Sequence, residues 1–200
     1  MSLTIFNGSP IFFLNTDFKL SQEEEETILK LKYRKDKFLN EPDVSEEIFL
    51  FKNKKLKRIQ NLIHDYVEKY KNNILQISDQ LRIVHSWTTI NDNTNHRSHA
   101  HKNSLISCSF YLKSEGENKI IFKKEKTILQ KCHYLDYTIK EYNGYNSETW
   151  SFDTKQGSII IFLSDLYHES INKGNKIMVG ANYFVTGKMG TKKDYTYFKI

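Results

Sequence analysis

Seven histidines stand in this sequence, and His96, His99 and His101 crowd a single short stretch. His99 and His101 are two apart, so in an extended chain both imidazoles project from one face. His96 is an odd number of positions from each and in a regular strand would face the other way. Neutral imidazoles bind iron, zinc, copper or nickel, which makes the i, i+2 pair a metal-ligand candidate. The second feature is GSIIIFLSDLYHES. Gly157 leads into the apolar run Ser158–Leu163, and the chain then turns to His168. A histidine placed just after a buried strand can return to the first pair across a barrel. Two near ligands and one distant ligand then cover one face of a metal and leave its other face to substrate and oxygen. Calcium and magnesium, which favour carboxylates and carbonyls, fit such a set poorly.

These residues need strands to hold them. Leu81–Ile90, Ser104–Leu112, Lys119–Phe122, Trp150–Phe152, Ser158–Leu163 and Lys176–Val185 are short, rich in β-formers and separated by turn residues. The turns are clearest at Asn91–Asn95, Glu115–Asn118 and Asn172–Asn175. Upstream, residues 3–13 read as an opening strand that Pro10 assigns to a sheet edge. Ser21 with Glu24 forms a capping box, and Glu23 to Glu26 suit the positive end of a helix over about 21–34. Leu56, Ile59, Leu62, Ile63, Tyr66, Val67 and Tyr70 recur at helical spacing, so about 54–72 is an amphipathic helix. His64, beside that stripe, reads as a packed or surface residue. Strands after two helices predict an α+β chain, mainly β, whose catalytic half is an antiparallel sandwich or jelly roll. The charged, tyrosine-rich segment 123–149, with Tyr134, Tyr137, Tyr142 and Tyr145, suits a lid or an extra hairpin.

Composition narrows the function classes. The 200 residues fit a single domain: a support region over 1–80 and a catalytic core over 81–185. Aromatics reach 14%, enough to fill a core and line a pocket. No apolar run is long enough for a transmembrane helix, and the N-terminus lacks the pattern of a signal peptide. Cys108 and Cys132 make no disulfide framework and have no neighbouring base, which points to a reducing, cytoplasmic interior. The net charge is +6, but it is spread along the chain and carried by lysine; the arginines are Arg34, Arg58, Arg82 and Arg97. Nucleic-acid binders cluster their charge and use arginine for bidentate contacts, so the pattern argues against one.

At this point the chain resembles the iron(II)- and 2-oxoglutarate-dependent oxygenases, in particular a group of small members from marine bacteria and their phages. The resemblance runs from about 54 to about 185. Trp87 lies in SWTTIN, where that group has a strand ending in Trp before a polar turn. HAHKNSLISCSFYL matches its His-x-His-x-Asn-Ser-x-x-Ser pattern with Tyr-Leu ending the strand. KIIF at 119–122, GSIIIFLSDLYH and the stretch from Lys176 to Asn182 take the places of later core strands. The order and spacing of the pieces carry the likeness; His-x-His alone would not.

The resemblance implies a double-stranded β-helix, cupin-like, with the N-terminal helices packed on one sheet. It makes His99, His101 and His168 the ligands of iron(II). Lys176 becomes the cation for the distal carboxylate of 2-oxoglutarate, with Tyr111, Ser107 and Asn182 as neighbours of the cosubstrate. The implied reaction is hydroxylation of a C–H bond in a small molecule or protein side chain, in the host cytoplasm if phage-encoded; a homodimer stays open. The chain departs from the family in holding His101 where a carboxylate is usual and Lys176 where arginine is. Two other readings stand beside it. One is a three-histidine, cupin-type dioxygenase that works without 2-oxoglutarate. The other is a non-catalytic jelly-roll binding or virion-associated protein.

Overall fold

A computed structural model describes residues 2–6, 8–34, 41–124 and 138–200. Tyr134, Tyr137 and Cys132 lie outside them. The chain opens with two strands where one was expected, β1 (Ser2–Phe6) and β2 (Ser9–Asn15), joined through Gly8 at φ +81°. Pro10 pairs with Ile5 of β1, while β2 meets its other neighbour only from Phe12 to Asn15. Its missing N–H therefore costs no ladder bond on that side, although β2 is not an edge strand.

Helix α1 (Gln22–Leu29) starts where the capping box places it: Glu24 N–H donates to Ser21 Oγ and Ser21 N–H to Glu24 Oε2. It ends five residues before the expected 34, because Tyr33 and Arg34 form β3, paired with β4 (Asp43–Ser45). The Tyr33 hydroxyl donates to Ile28 O, tying the end of α1 to that new strand. Helix α2 (Lys57–Tyr70) carries the apolar stripe; Ile59, Ile63, Val67 and Tyr70 are fully buried. A 3-10 turn (Lys54–Leu56) precedes it and a π turn (Lys71–Leu75) follows it, which together span the predicted helix.

The remaining strands are β5 (Gln80–Asp92), β6 (His96–His99), β7 (Ile106–Ser114), β8 (Glu117–Lys123), β9 (Thr149–Thr154), β10 (Ser158–Leu163), β11 (His168–Lys173) and β12 (Asn175–Thr186). A small C-terminal hairpin, β13 (Lys188–Met189) with β14 (Phe198–Lys199), follows. The larger sheet runs β1-β2-β10-β7-β12-β5-β4-β3 and the smaller β6-β11-β8-β9. Among the described residues every ladder is antiparallel, as a jelly roll requires and a βαβ fold would not allow.

Period-2 alternation gives the large sheet two different faces. Phe110, Ile159, Ile161, Val179, Ala181 and Tyr183 pack with the α2 stripe into one apolar core. Their strand neighbours face the small sheet, where Tyr111, Ile160, Phe162 and Met178 meet Ile120, Phe122 and Phe152. The helices thus cover one sheet only, and the space between the sheets is left for the site. β5 continues past Trp87 to Asp92, so the indole sits in mid-strand rather than at a strand end.

Candidate metal centre

His168 opens β11 and pairs directly with His99, the last residue of β6. His101 follows two residues on, held by its backbone N–H to Ser164 O at 2.9 Å. The ring centroids of His99 and His168 are 4.4 Å apart, and His101 lies 5.1 Å from each. One ligating nitrogen from each of the three lies within 4.8 Å of the other two. Among the described residues this is the one cluster of histidine, cysteine or carboxylate groups compact enough to hold a metal.

The tautomers suit ligation. His99 Nδ1 contacts Arg97 O at 2.8 Å and His168 Nδ1 contacts Leu166 O at 3.0 Å. A carbonyl only accepts, so each Nδ1 carries the hydrogen and each Nε2 presents its lone pair. Burial, reinforced by the neighbouring imidazoles, lowers the His101 pKa to about 3 and holds His168 well below its ordinary value. Both are therefore neutral, the form that binds a metal. The surround is apolar: the Phe162 ring meets His168 edge-on at 4.7 Å, and Trp87 lies 5.4 Å from His101. Gly180, paired with Trp87 across the β5–β12 ladder, makes room for that indole; a Cβ there would overlap its ring.

His96 is where the sequence misleads. The β6–β11 ladder shifts register, so three steps on β6, from His99 to His96, oppose two on β11, from His168 to Ser170. This bulge turns His96 back onto the face of His99, with ring centroids 4.3 Å apart. Its pKa is lowered to about 3, first by burial and then by His99 and Lys176.

Lys176 points inward rather than escaping at the strand edge, and is only 3% exposed. Its Nζ donates to Asn172 Oδ1 at 2.8 Å and lies 5.8 Å from the Tyr111 ring centroid. The Asn172 amide is held in that sense because its Nδ2 donates to Thr94 O and Ser170 Oγ. The ammonium thus rests on a neutral acceptor, and burial lowers its pKa to about 7. Thr89, two residues beyond Trp87 and so on the same strand face, has a buried Oγ1 with no hydrogen-bond partner. A buried cation with no carboxylate partner among the described residues, and an orphaned hydroxyl on the neighbouring strand, are donors that a carboxylate ligand would complete.

Tyr111 is thus brought beside Lys176, but Ser107 and Asn182 are not. Ser107 Oγ donates to Asn182 Oδ1 at 2.9 Å and lies 2.8 Å from Ser164 Oγ. Asn182 is six residues from Lys176 along β12, about 20 Å of strand, and borders a cavity of about 270 Å³ that opens over His99 and His101. Asn172 was open to sequence reasoning, because His168, Ser170 and Asn172 alternate on one strand face. Glu41 and Arg34, which also border the cavity, carry no pattern in the sequence that would mark them.

Residues 85–177 match a family model described as "Putative 2OG-Fe(II) oxygenase". No curated protein matches the chain. Among solved structures, a 2OG-Fe(II) oxygenase-family oxidoreductase from Burkholderia pseudomallei is similar, with a TM-score of 0.58 at 10% identity over 86% of this chain and 83% of that one. HygX from Streptomyces hygroscopicus, solved with nickel, 2-oxoglutarate and hygromycin B, gives 0.58 at 10% over 86% and 82%. A prolyl hydroxylase from Trichoplax adhaerens, in complex with a peptide fragment of hypoxia inducible factor, gives 0.58 at 8% over 87% and 83%. At such identities the likeness is one of fold: all three share the jelly roll. The family match spans the strands bearing His99, His101 and His168, so this core of the chain is similar to the 2OG-Fe(II) oxygenases.

Proposed function

We propose that the protein is an iron(II)- and 2-oxoglutarate-dependent oxygenase in which His99, His101 and His168 hold the metal and Lys176 receives the far carboxylate of 2-oxoglutarate. The observation that carries this reading is a single barrel interior bearing both three converging imidazoles and a buried ammonium with no carboxylate partner among the described residues. When bound, iron(II) with 2-oxoglutarate and oxygen supplies the oxidising power for C–H oxidation, with succinate and carbon dioxide released.

The chain's own residues position and protect. The carbonyls of Arg97 and Leu166 fix two imidazoles in the ligating tautomer. Phe122, Phe162 and Trp87 exclude water around them. Asn172 aims the Lys176 ammonium, and Thr89 Oγ1 offers a further donor to the same carboxylate. The free, buried Cys108 and a ferrous site both suit a reducing compartment.

The test is succinate formation from 2-oxoglutarate by the iron(II)-loaded full chain. Loss of metal binding in His99→Ala and His168→Ala, and a raised KM for 2-oxoglutarate in Lys176→Met, are the expected outcomes. His101 in the position of a carboxylate favours one second reading, a three-histidine dioxygenase without cosubstrate. Metal-dependent oxygen uptake with no succinate would select it.

A further inference from the structure

The cavity over the histidines is bordered by two opposite charges that the reading above leaves unused. Arg34 and Glu41 share its lining with His99, His101, Trp87 and Asn182. Arg34 ends β3, and Glu41 stands two residues before β4. β4 in turn pairs through Val44 with Thr89 of β5, the strand of Trp87. One strand pair therefore carries both charges to the rim.

The Glu41 side chain is only 9% exposed, yet its contacts are loose. Arg97 Nε lies at 3.4 Å, His96 Nε2 at 3.5 Å, and the Arg97 backbone N–H donates to Oε1 at 3.3 Å. Charge-assisted hydrogen bonds to a carboxylate run at about 2.7–2.9 Å. The Arg97 side chain is 62% exposed, so solvent screens its compensation of a buried anion. Arg34 forms no ion pair with any described carboxylate. Asn182 adds a fixed donor: its Oδ1 is taken by Ser107, which leaves Nδ2 for the cavity.

We propose that this cavity receives a small zwitterion of the α-amino acid type, its ammonium on Glu41 and its carboxylate on Arg34, with its side chain against Trp87. The inference rests on the oxygenase reading and names the substrate class of that site. A simple cation would leave the guanidinium opposing it, and a simple anion would meet the buried carboxylate. The size agrees: about 270 Å³ lies below the roughly 300–1,000 Å³ of sites for drug-sized ligands. A residue within a peptide has neither free charge and would satisfy neither group.

The experiment is calorimetric titration of the full chain, loaded with nickel(II) and 2-oxoglutarate, with the free L-amino acids and their N-acetyl and C-amide counterparts. At least one free amino acid binds, and each blocked form of it binds about tenfold or more weaker, which corresponds to about 1.4 kcal/mol. Glu41→Gln weakens the free amino acid to a similar degree but leaves the N-acetyl form unchanged, and Glu41→Asp restores part of the loss. Arg34→Met does the same with respect to the amide. The affinity for 2-oxoglutarate is unchanged in these variants. The wild-type comparison of blocked and free ligands stands whether or not any variant folds. Blocked forms that bind as tightly as free ones, or no binding of any free amino acid to the loaded protein, overturn the inference and leave the oxygenase reading intact. Failure of nickel(II) or 2-oxoglutarate to bind overturns the oxygenase reading, and this inference with it.

Discussion

The two faces of the large sheet are built from the same strands and do opposite work. On β12, Ile177, Val179, Ala181, Tyr183 and Val185 join the helix-backed core. Their neighbours Lys176, Met178, Gly180 and Asn182 face the small sheet, and there lie a buried cation, a glycine cut away for an indole and a hydrogen-bonded amide. On β7, Ile106, Cys108, Phe110 and Leu112 face the helix, while Ser107 and Tyr111 face the site. The dry face supplies the stability that the other gives up: buried, poorly compensated polar groups are costly, and the cost is tolerable because α2 closes an apolar face behind them.

The sharpest break of that contrast is on the dry face. Phe110→Ala should cost about 3–5 kcal/mol of folding stability in urea, as large-to-small core changes do. The fraction that remains folded should still bind nickel(II) with wild-type stoichiometry. Equal loss of metal from the folded fraction would show the two faces to be coupled.

On the site face the sign should reverse. Lys176 has a folded pKa of about 7 against an ordinary 10.5, so between those values the unfolded chain holds more protons than the folded one. Wild-type stability therefore rises with pH across that window. Lys176→Met should stabilise the ligand-free protein, on the order of 4 kcal/mol near pH 7, with the gain fading as pH approaches 10.5. The same change should raise the KM for 2-oxoglutarate by about thirtyfold or more, since truncating one partner of a buried charge pair costs roughly 2–5 kcal/mol. A destabilised ligand-free variant would mean that the ammonium is already satisfied without an anion.

Gly180→Ala tests the seam between structure and site. Its Cβ would enter the Trp87 ring, so a loss of about 1–3 kcal/mol from overpacking is expected. The loss should come with a change in tryptophan fluorescence, because the indole must move. A mild loss with unchanged emission would place the strain elsewhere on β12.

The smallest effect concerns acid. His101 has a folded pKa of about 3 against an ordinary 6.5, so the unfolded chain takes up a proton first and metal-free stability falls as pH drops below 6.5. The slope is about 1.4 kcal/mol per pH unit for one such group. His101→Asn should flatten the acid limb of metal-free unfolding by about that slope between pH 6 and 5. An unchanged limb would assign the acid sensitivity to other groups.

Much of this was legible in the sequence where local signals suffice. The capping box at Ser21, the stripe from Leu56 to Tyr70 and the apolar run Ser158–Leu163 each fix an element by short-range chemistry, and each element formed. The end of α1 was not legible, because what stops it is the pairing of Tyr33 with Ser45. The split of the opening strand was missed because a turn at Gly8 looks like any glycine in a β-rich stretch. His96 was assigned to the wrong face because strict alternation assumes an unbroken ladder, and the ladder with β11 is bulged.

By itself the sequence determined which residue types are available and how they alternate: His99 with His101, and Lys176 with Asn182, each on one strand face. That follows from the period of an extended chain and needs no partner. The tertiary structure decided what those faces meet. The pairing of His168 with His99, the turn of Asn172 toward Lys176, and the arrival of Glu41 and Arg34 at the rim all depend on register between distant segments. Register is set by the packing of both sheets together, and no local stretch of chain encodes it.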